Sequence, residues 1–273
     1  MKIGDLFSKK PAIMGILNVT PDSFYDGDKY NSPNKAYKRA LKFKKAGADI
    51  IDIGGESTRP GAKSITVQEE KNRVLPVIKK IKQNNPDIKI SCDTSRQEVA
   101  REALSLGADM INDVTGFENP GMRDAAAESG SAICIMHMKG NPVNMQQNPQ
   151  YEDVISDIRK YLHERAQECV KSGIARGNIL IDPGIGFGKT LKHNLKIMAN
   201  IDKLSRKYPV LLGASRKSFL KELLNIKPSQ RLSGSLAVAC WAGIYNVSVL
   251  RVHDVRETIE AVEMTRALIS NRL

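Results

Sequence analysis

The sequence predicts an α/β protein, a (β/α)8 TIM barrel formed by one domain over residues 1–273. Three observations point there. Eight short runs of aliphatic and β-branched residues recur along the chain, segments with helical apolar spacing separate them, and a polar or glycine-rich cluster follows nearly every run. Strands alternating with helices make a parallel sheet with covered faces, and eight repeats in a chain of this length match a closed barrel. A doubly wound open sheet is the structural rival. Its nucleotide-binding form carries Gly-x-Gly-x-x-Gly after the first strand, and no such motif stands there.

Taken in order, the strand-like runs cover residues 12–17, 49–53, 88–92, 110–112, 132–136, 179–181, 210–212 and 247–252. Between the first two, Lys35, Lys38, Lys42 and Lys45 interleave with Ala36, Tyr37, Ala40, Leu41 and Phe43, the pattern of an amphipathic helix with a solvated basic face. Over residues 67–82, Val67, Val74, Leu75, Ile78 and Ile81 fall on one helical face. The next helix, 95–106, starts with Ser95 and has Glu98 three residues on, a capping-box spelling. Gly47, Gly107 and Gly130 each stand between a helix and the following strand, where a left-handed terminating glycine belongs.

Composition narrows the function classes. The 273 residues are 41% apolar with a formal net charge of +12, enough apolar content for a sizeable core. The basic excess could serve nucleic acid, but only 5% of residues are aromatic, the lysines lie mostly on helix-like segments, and no basic-aromatic repeat occurs. A basic surface attracts small anionic substrates equally well. The expectation is therefore no nucleic-acid partner. Cys92, Cys134, Cys169 and Cys240 are scattered without a Cys-x-x-Cys pair, which fits reduced thiols. No stretch approaches the roughly 20 apolar residues of a membrane span, and the early apolar run is too short for a signal peptide, so the chain is expected to be cytoplasmic.

Residues 178–190 organise the rest. An apolar run delivers Asp182 to its end, and Pro183, Gly184, Gly186 and Gly188 then break regular structure. Gly188-Lys189-Thr190 ends like a phosphate-cradling loop, but that motif needs a glycine where Pro183 stands, and Asp182 would repel phosphate. The loop reads instead as a site for a ligand that donates hydrogen bonds to a carboxylate.

Comparable clusters close the other runs: Asn18-Val-Thr-Pro-Asp22, Gly54-Gly-Glu-Ser-Thr-Arg59, Asp93-Thr94, Asn112-Asp113, His137, Ser215-Arg-Lys217 and Arg251-Val-His253-Asp254. In a barrel these ends meet at one mouth, where active sites lie. Asp93, Asn112 and Asp182 could grip the N–H edge of a heterocycle, although Asp93 or Ser95 could equally cap the next helix. Lys217 is either a solvated lysine or a contact for an anion or ring carbonyl. Arg251 and His253 alternate, so both can face one way and hold a diphosphate, or they form a surface pair. His137 reads as a hydrogen-bonded wall residue, and His163 and His193 as surface residues. Asn18 offers an oxygen without a carboxylate cage, so a metal there would be Mg2+ carried largely by substrate phosphate. The polar loops 20–32 and 55–65 read as connectors or as lids over the mouth.

Together these motifs, with Met136-His-Met138 and Asp182-Pro-Gly-Ile-Gly-Phe-Gly-Lys189, resemble those of the dihydropteroate synthase family, in order from about residue 11 to 260. The resemblance implies condensation of 6-hydroxymethyl-7,8-dihydropterin diphosphate with p-aminobenzoate, giving 7,8-dihydropteroate and diphosphate for folate synthesis. Carried over by position, Asp93, Asn112, Met136, Asp182, Phe187, Gly213, Lys217 and Arg251 would hold the pterin, with Arg251 stacked on it. Asn18, Thr58, Arg59, Arg251 and His253 would hold the diphosphate, with Asn18 the Mg2+ ligand. Phe24, Thr58, Arg59, Pro60, Lys217 and Ser218 would border the p-aminobenzoate pocket, the target of sulfonamides. The catalytic set would be Asp93, Lys217, Arg251 and His253, and the family implies a homodimer. Tyr25, Asp28 and Arg96 depart from the family's usual residues. A methyltetrahydrofolate-dependent methyltransferase of the same barrel group is the runner-up. The Ser-Arg-Lys-Ser and Arg-Val-His clusters, suited to a diphosphate, tell against it. A catalytically inactive pterin-binding homologue is a third reading.

Overall fold

The computed structural model of the chain describes residues 11–20, 33–57, 62, 64–142 and 144–272. Its strands are β1 (Ala12–Asn18), β2 (Ile50–Gly54), β3 (Lys89–Asp93), β4 (Met110–Asp113), β5 (Ala132–Met136), β6 (Ile179–Asp182), β7 (Leu211–Leu212) and β8 (Val249–Val252). The α-helices among the described residues are α1 (Pro33–Lys45), α2 (Val67–Asn84), α3 (Gln97–Ser105), α4 (Pro120–Ser129), α5 (Val154–Lys171), α6 (Leu191–Ala199), α7 (Ser218–Leu224), α8 (Leu232–Ile244) and α9 (Val255–Ser270). All strand pairings are parallel, in the order β6-β5-β4-β3-β2-β1-β8-β7. A parallel bridge between Ile181 and Val210, with Ile181 N–H donating to Pro209 O at 3.0 Å, brings β6 against the start of β7 and closes the barrel.

Alternation along each strand divides its residues between two cores. Ala12, Met14, Ile50, Met110, Ala132, Cys134, Leu180, Leu211 and Val249 fill the barrel interior. The opposite parity (Ile13, Leu17, Ile51, Ile53, Ile111, Ile133, Ile179, Leu250) packs outward on the helices. Continuing the inward parity toward the strand ends gives Asn18, Asp52, Asp93, Asn112, Met136, Asp182, Gly213, Arg251 and His253. The interior is thus apolar at one end and charged at the other, and this second end is the mouth.

Termini of the elements follow local chemistry. Gly47, Gly107 and Gly130 take φ of 99°, 96° and 66°, so the expected left-handed turns form. The expected capping box at Ser95 does not form. Helix α3 begins two residues later, at Gln97: the Thr94 hydroxyl accepts the Arg96 N–H at 3.1 Å in a local turn through Ser95, and the extended Arg96 takes the cap position without a side-chain cap bond. Of the four cysteines, all free, Cys92, Cys134 and Cys169 are buried. No helix of the described residues is long and apolar enough to cross a membrane.

Candidate active site

The mouth centres on Arg251 of β8. Its Nε donates to Asp52 Oδ2 of β2 at 2.6 Å, and its Nη2 to Asp93 Oδ2 at the end of β3, also at 2.6 Å. Asn112 of β4 reaches the same Asp52 oxygen through Nδ2 at 3.4 Å. Asp52 is fully buried, and its other oxygen, Oδ1, has no hydrogen-bond partner among the described residues. Asp93 therefore does not cap α3; its carboxylate turns inward to the guanidinium. Gly213, next to the end of β7, leaves the space between Asp182 and Arg251 open: a methyl placed there would sit 3.7 Å from Asp182 Oδ2 and 3.9 Å from Arg251 Cδ.

Asp182 ends β6, where Oδ1 accepts the Gly184 N–H at 2.7 Å and starts the glycine loop. Gly184, Gly186 and Gly188 have φ of 67°, 83° and 64°. Thr190 then caps α6, its hydroxyl accepting from His193 N at 3.3 Å. Lys217, which directly precedes α7, lies against this loop: Nζ donates to Ile185 O and stands 4.6 Å from the centroid of the Phe187 ring. It is not a solvated lysine. His253, beyond β8, is held by Ser215, whose Oγ accepts the His253 N–H at 3.2 Å and lies 3.1 Å from Nδ1.

Burial sets the electrostatics. It raises the Asp93 carboxyl to about 7, against the lowering effect of Arg251 and helped by Asp52. Asp182 is also raised by burial, opposed by Lys217. Burial lowers Lys217 to about 8, with Asp182 opposing. Burial works against the Arg251 charge as well, but Asp52 and Asp93 more than offset it and leave the guanidinium firmly protonated. A flat, N–H-rich ring carrying an anionic arm matches these groups: carboxylates for the ring edge, cations for the arm.

Placement of the remaining expected residues is mixed. Met136 ends β5, buried beside Gly184, Asn18 ends β1, and Ser218 opens α7 as an exposed residue. Phe24, Thr58, Arg59 and Pro60, with the departures Tyr25 and Asp28, lie outside the described residues. Arg96 ties down both feet of the loop after β2, donating to Glu56 Oε2 at 2.9 Å and Ile65 O at 2.7 Å, and it also pairs with the buried Glu70. Asp113 faces away from the mouth and closes its own turn by accepting from Thr115 and Phe117 N–H, both at 2.8 Å. Arg216 likewise leaves the site for a two-point pair with Asp254, at 2.7 and 2.8 Å. His163 and His193 are half-buried rather than superficial, because each ring packs on a tyrosine, Tyr208 and Tyr151 respectively. Asp52 is the residue that sequence reasoning left without a role.

The family model described as "Pterin binding enzyme" matches residues 14–253. The dihydropteroate synthase of Escherichia coli (strain K12) is 49% identical over 261 residues, covering 95% of this chain and 92% of that protein. The chain belongs to the dihydropteroate synthase family. Among solved dihydropteroate synthases, that of Yersinia pestis in a sulfonamide complex superposes with a TM-score of 0.91 at 45% identity, covering 96% of this chain and 95% of that one. The Xanthomonas albilineans dihydropteroate synthase with 4-aminobenzoic acid gives a TM-score of 0.90 at 40% identity, covering 96% and 94%.

Proposed function

We propose that this dihydropteroate synthase family member joins 6-hydroxymethyl-7,8-dihydropterin diphosphate to p-aminobenzoate, releasing diphosphate and forming 7,8-dihydropteroate. The observation that carries the reading is the convergence of Asp93, Asn112, Asp182, Lys217 and Arg251, from five strand ends, on one mouth. Relatives solved with a sulfonamide and with 4-aminobenzoic acid support the second substrate.

The reaction follows from these groups. Asp93, Asn112 and Asp182 orient the pterin through its N–H donors, and Lys217 addresses the ring from the loop side. Breaking the C–O bond places negative charge on diphosphate, within reach of Arg251 and His253. The dihydropterin left behind delocalises positive charge, which the buried carboxylates favour, so the cleavage is SN1-like. The aromatic amine then attacks the exposed carbon, and the resulting anilinium is acidic enough to lose its proton without a dedicated base. Arg251, already fixed by two carboxylates, enters the reaction pre-oriented and need not be ordered during it.

Mg2+ fits this site only as a substrate-borne ion. No cluster of three or more His, Cys, Asp or Glu side chains suited to a metal occurs among the described residues, and Asn18 supplies a single amide oxygen at the β1 end. A hard cation with waters and diphosphate oxygens completing its shell suits that donor set. There it would neutralise leaving-group charge. A homodimer is supported by apolar side chains exposed on α7 to α9, including Leu224, Trp241, Ile244 and Leu268. Sedimentation velocity tests it.

The deciding assay for the function is diphosphate release dependent on both substrates and on Mg2+. No release would leave the inactive-homologue reading, and release that yields no 7,8-dihydropteroate in the presence of p-aminobenzoate would refute the assignment in favour of simple hydrolysis. Sulfonamides should raise the KM for p-aminobenzoate without changing kcat.

A further inference from the structure

Lys189 is spelled like a phosphate-binding lysine yet is engaged by the residue that follows β5, His137, and by its own loop. It is 3% exposed. Its Nζ lies 2.8 Å from Phe187 O, 3.3 Å from His137 O and 3.0 Å from His137 Nδ1, and all three can accept. Burial pushes the Lys189 amine well below the usual lysine range, against the raising effect of Asp182, so it is the geometry of three polar atoms within hydrogen-bond distance that fixes Nζ in place. His137 itself is walled in by Tyr161 and Tyr151, with ring centroids at 5.0 and 6.0 Å. Burial, reinforced by Lys189, lowers the imidazole to about 3. The ring is therefore neutral, and its Nδ1 shares a hydrogen bond with Lys189 Nζ.

The contacts on either side explain why this matters to the site. Four successive loop carbonyls each accept from a side chain: Ile185 O from Lys217, Gly186 O from Gln146, Phe187 O from Lys189 and Gly188 O from Tyr151. The loop is thus clamped between two lysines, Lys217 on the mouth side and Lys189 behind it. On the far side it lies close against the β5 extension, where Asp182 O accepts the His137 N–H at 2.9 Å. Gly184 and Gly188 approach the backbone of His137 and Lys139 so nearly that neither position has room for a side chain. Lys217 takes both its carbonyl acceptor and its aromatic platform, Phe187, from this loop.

We propose that Lys189 is a positioning residue for the pterin subsite, fixing the carbonyl of Phe187 to the end of β5 and thereby setting where Lys217 stands. It touches no substrate. This rests on the reading of the mouth as a pterin site and assigns that site a residue behind its wall. The effect is graded: Phe187, whose carbonyl Lys189 holds, is assigned to the pterin alone, Lys217 borders both subsites, and the rest of the p-aminobenzoate pocket is assigned to Ser218 and the loops after β1 and β2, so the pterin loses more.

Lys189→Met keeps an unbranched apolar stem and removes the amine. Calorimetric titration with 6-hydroxymethylpterin should give a Kd at least tenfold above wild type, while the KM for p-aminobenzoate rises less than threefold; the melting temperature should fall, because buried acceptors lose their donor, with the far-UV circular dichroism spectrum retained. A buried lysine that only stabilised the fold would weaken both substrates alike. A pterin Kd within twofold of wild type, or parallel losses for both substrates, overturns the proposal. If the Met variant does not fold, His137→Phe removes one of the three acceptors and leaves Lys189 in place. It should raise the pterin Kd about threefold, and an unchanged Kd overturns the proposal. Wild-type protein that binds no pterin sinks the functional reading itself, whereas wild-type binding with an unaffected Lys189→Met variant sinks only the role of Lys189.

Discussion

Asp52→Asn tests the electrostatic design of the mouth most directly. The side chain is fully buried and meets the Arg251 guanidinium at 2.6 Å, while Asp93 holds the other edge at the same distance. Two unit charges about 4 Å apart attract by about 4 kcal/mol at an effective dielectric constant near 20, which bounds the effect from above. Asparagine keeps a carbonyl at the acceptor position and Asp93 keeps its own contact, so the loss reduces to the charge assistance of one hydrogen bond. That is on the order of 1–2 kcal/mol, or about 5- to 30-fold. Because Arg251 is then less firmly oriented toward the leaving group, the loss belongs in kcat. A second consequence has a definite sign. Asp52 is one of the groups holding Asp93 up near 7, so removing its charge moves the Asp93 titration to lower pH. Diphosphate release measured from pH 5 to 9 should therefore show a smaller plateau and an acid limb shifted downward, with the circular dichroism spectrum retained. An acid limb at the wild-type pH would refute the coupling, and an undiminished kcat would refute the orientation.

Other substitutions probe the remaining groups. Asp182→Asn loses a charge-assisted contact to the pterin and should weaken pterin binding by on the order of 1.5–3 kcal/mol; calorimetric affinity equal to wild type removes Asp182 from the site. In the wild-type enzyme, kcat/KM for the pterin substrate should rise as Asp93 deprotonates through about 7 and fall as Lys217 loses its proton through about 8. A flat profile over this range contradicts both assignments. Gly184→Ala puts a methyl against His137 O at φ 67°, so the melting midpoint should drop by an amount corresponding to at least about 2 kcal/mol; an unchanged midpoint means the loop does not seat as described.

Much of this site is legible in the sequence because of a single physical regularity. A buried parallel strand is apolar throughout, so the first inward-facing polar residue near its end stands out. Asn112, Asp182 and Arg251 are all such residues, Asp93 follows the buried Ser91 on the same face, and one parity rule brings them together once eight strands close. Asp52 escapes that rule because it is flanked by Ile51 and Ile53 in mid-strand, and only barrel closure brings it beside Arg251, 199 residues away. Lys189 escapes for another reason. Lysine after glycine reads as the end of a phosphate loop, and its burial goes with acceptors on His137, 52 residues away, that no local pattern announces. The Ser95 cap is absent because the turn that Thr94 closes on the Arg96 N–H moves the helix start past Ser95. What local sequence lacks in each case is the partner. Charged residues at strand ends reveal themselves by contrast with their own strand, whereas charged residues placed behind them are defined by contacts from elsewhere in the fold. The groups most easily missed are therefore those that orient the groups most easily found, as Asp52 orients Arg251.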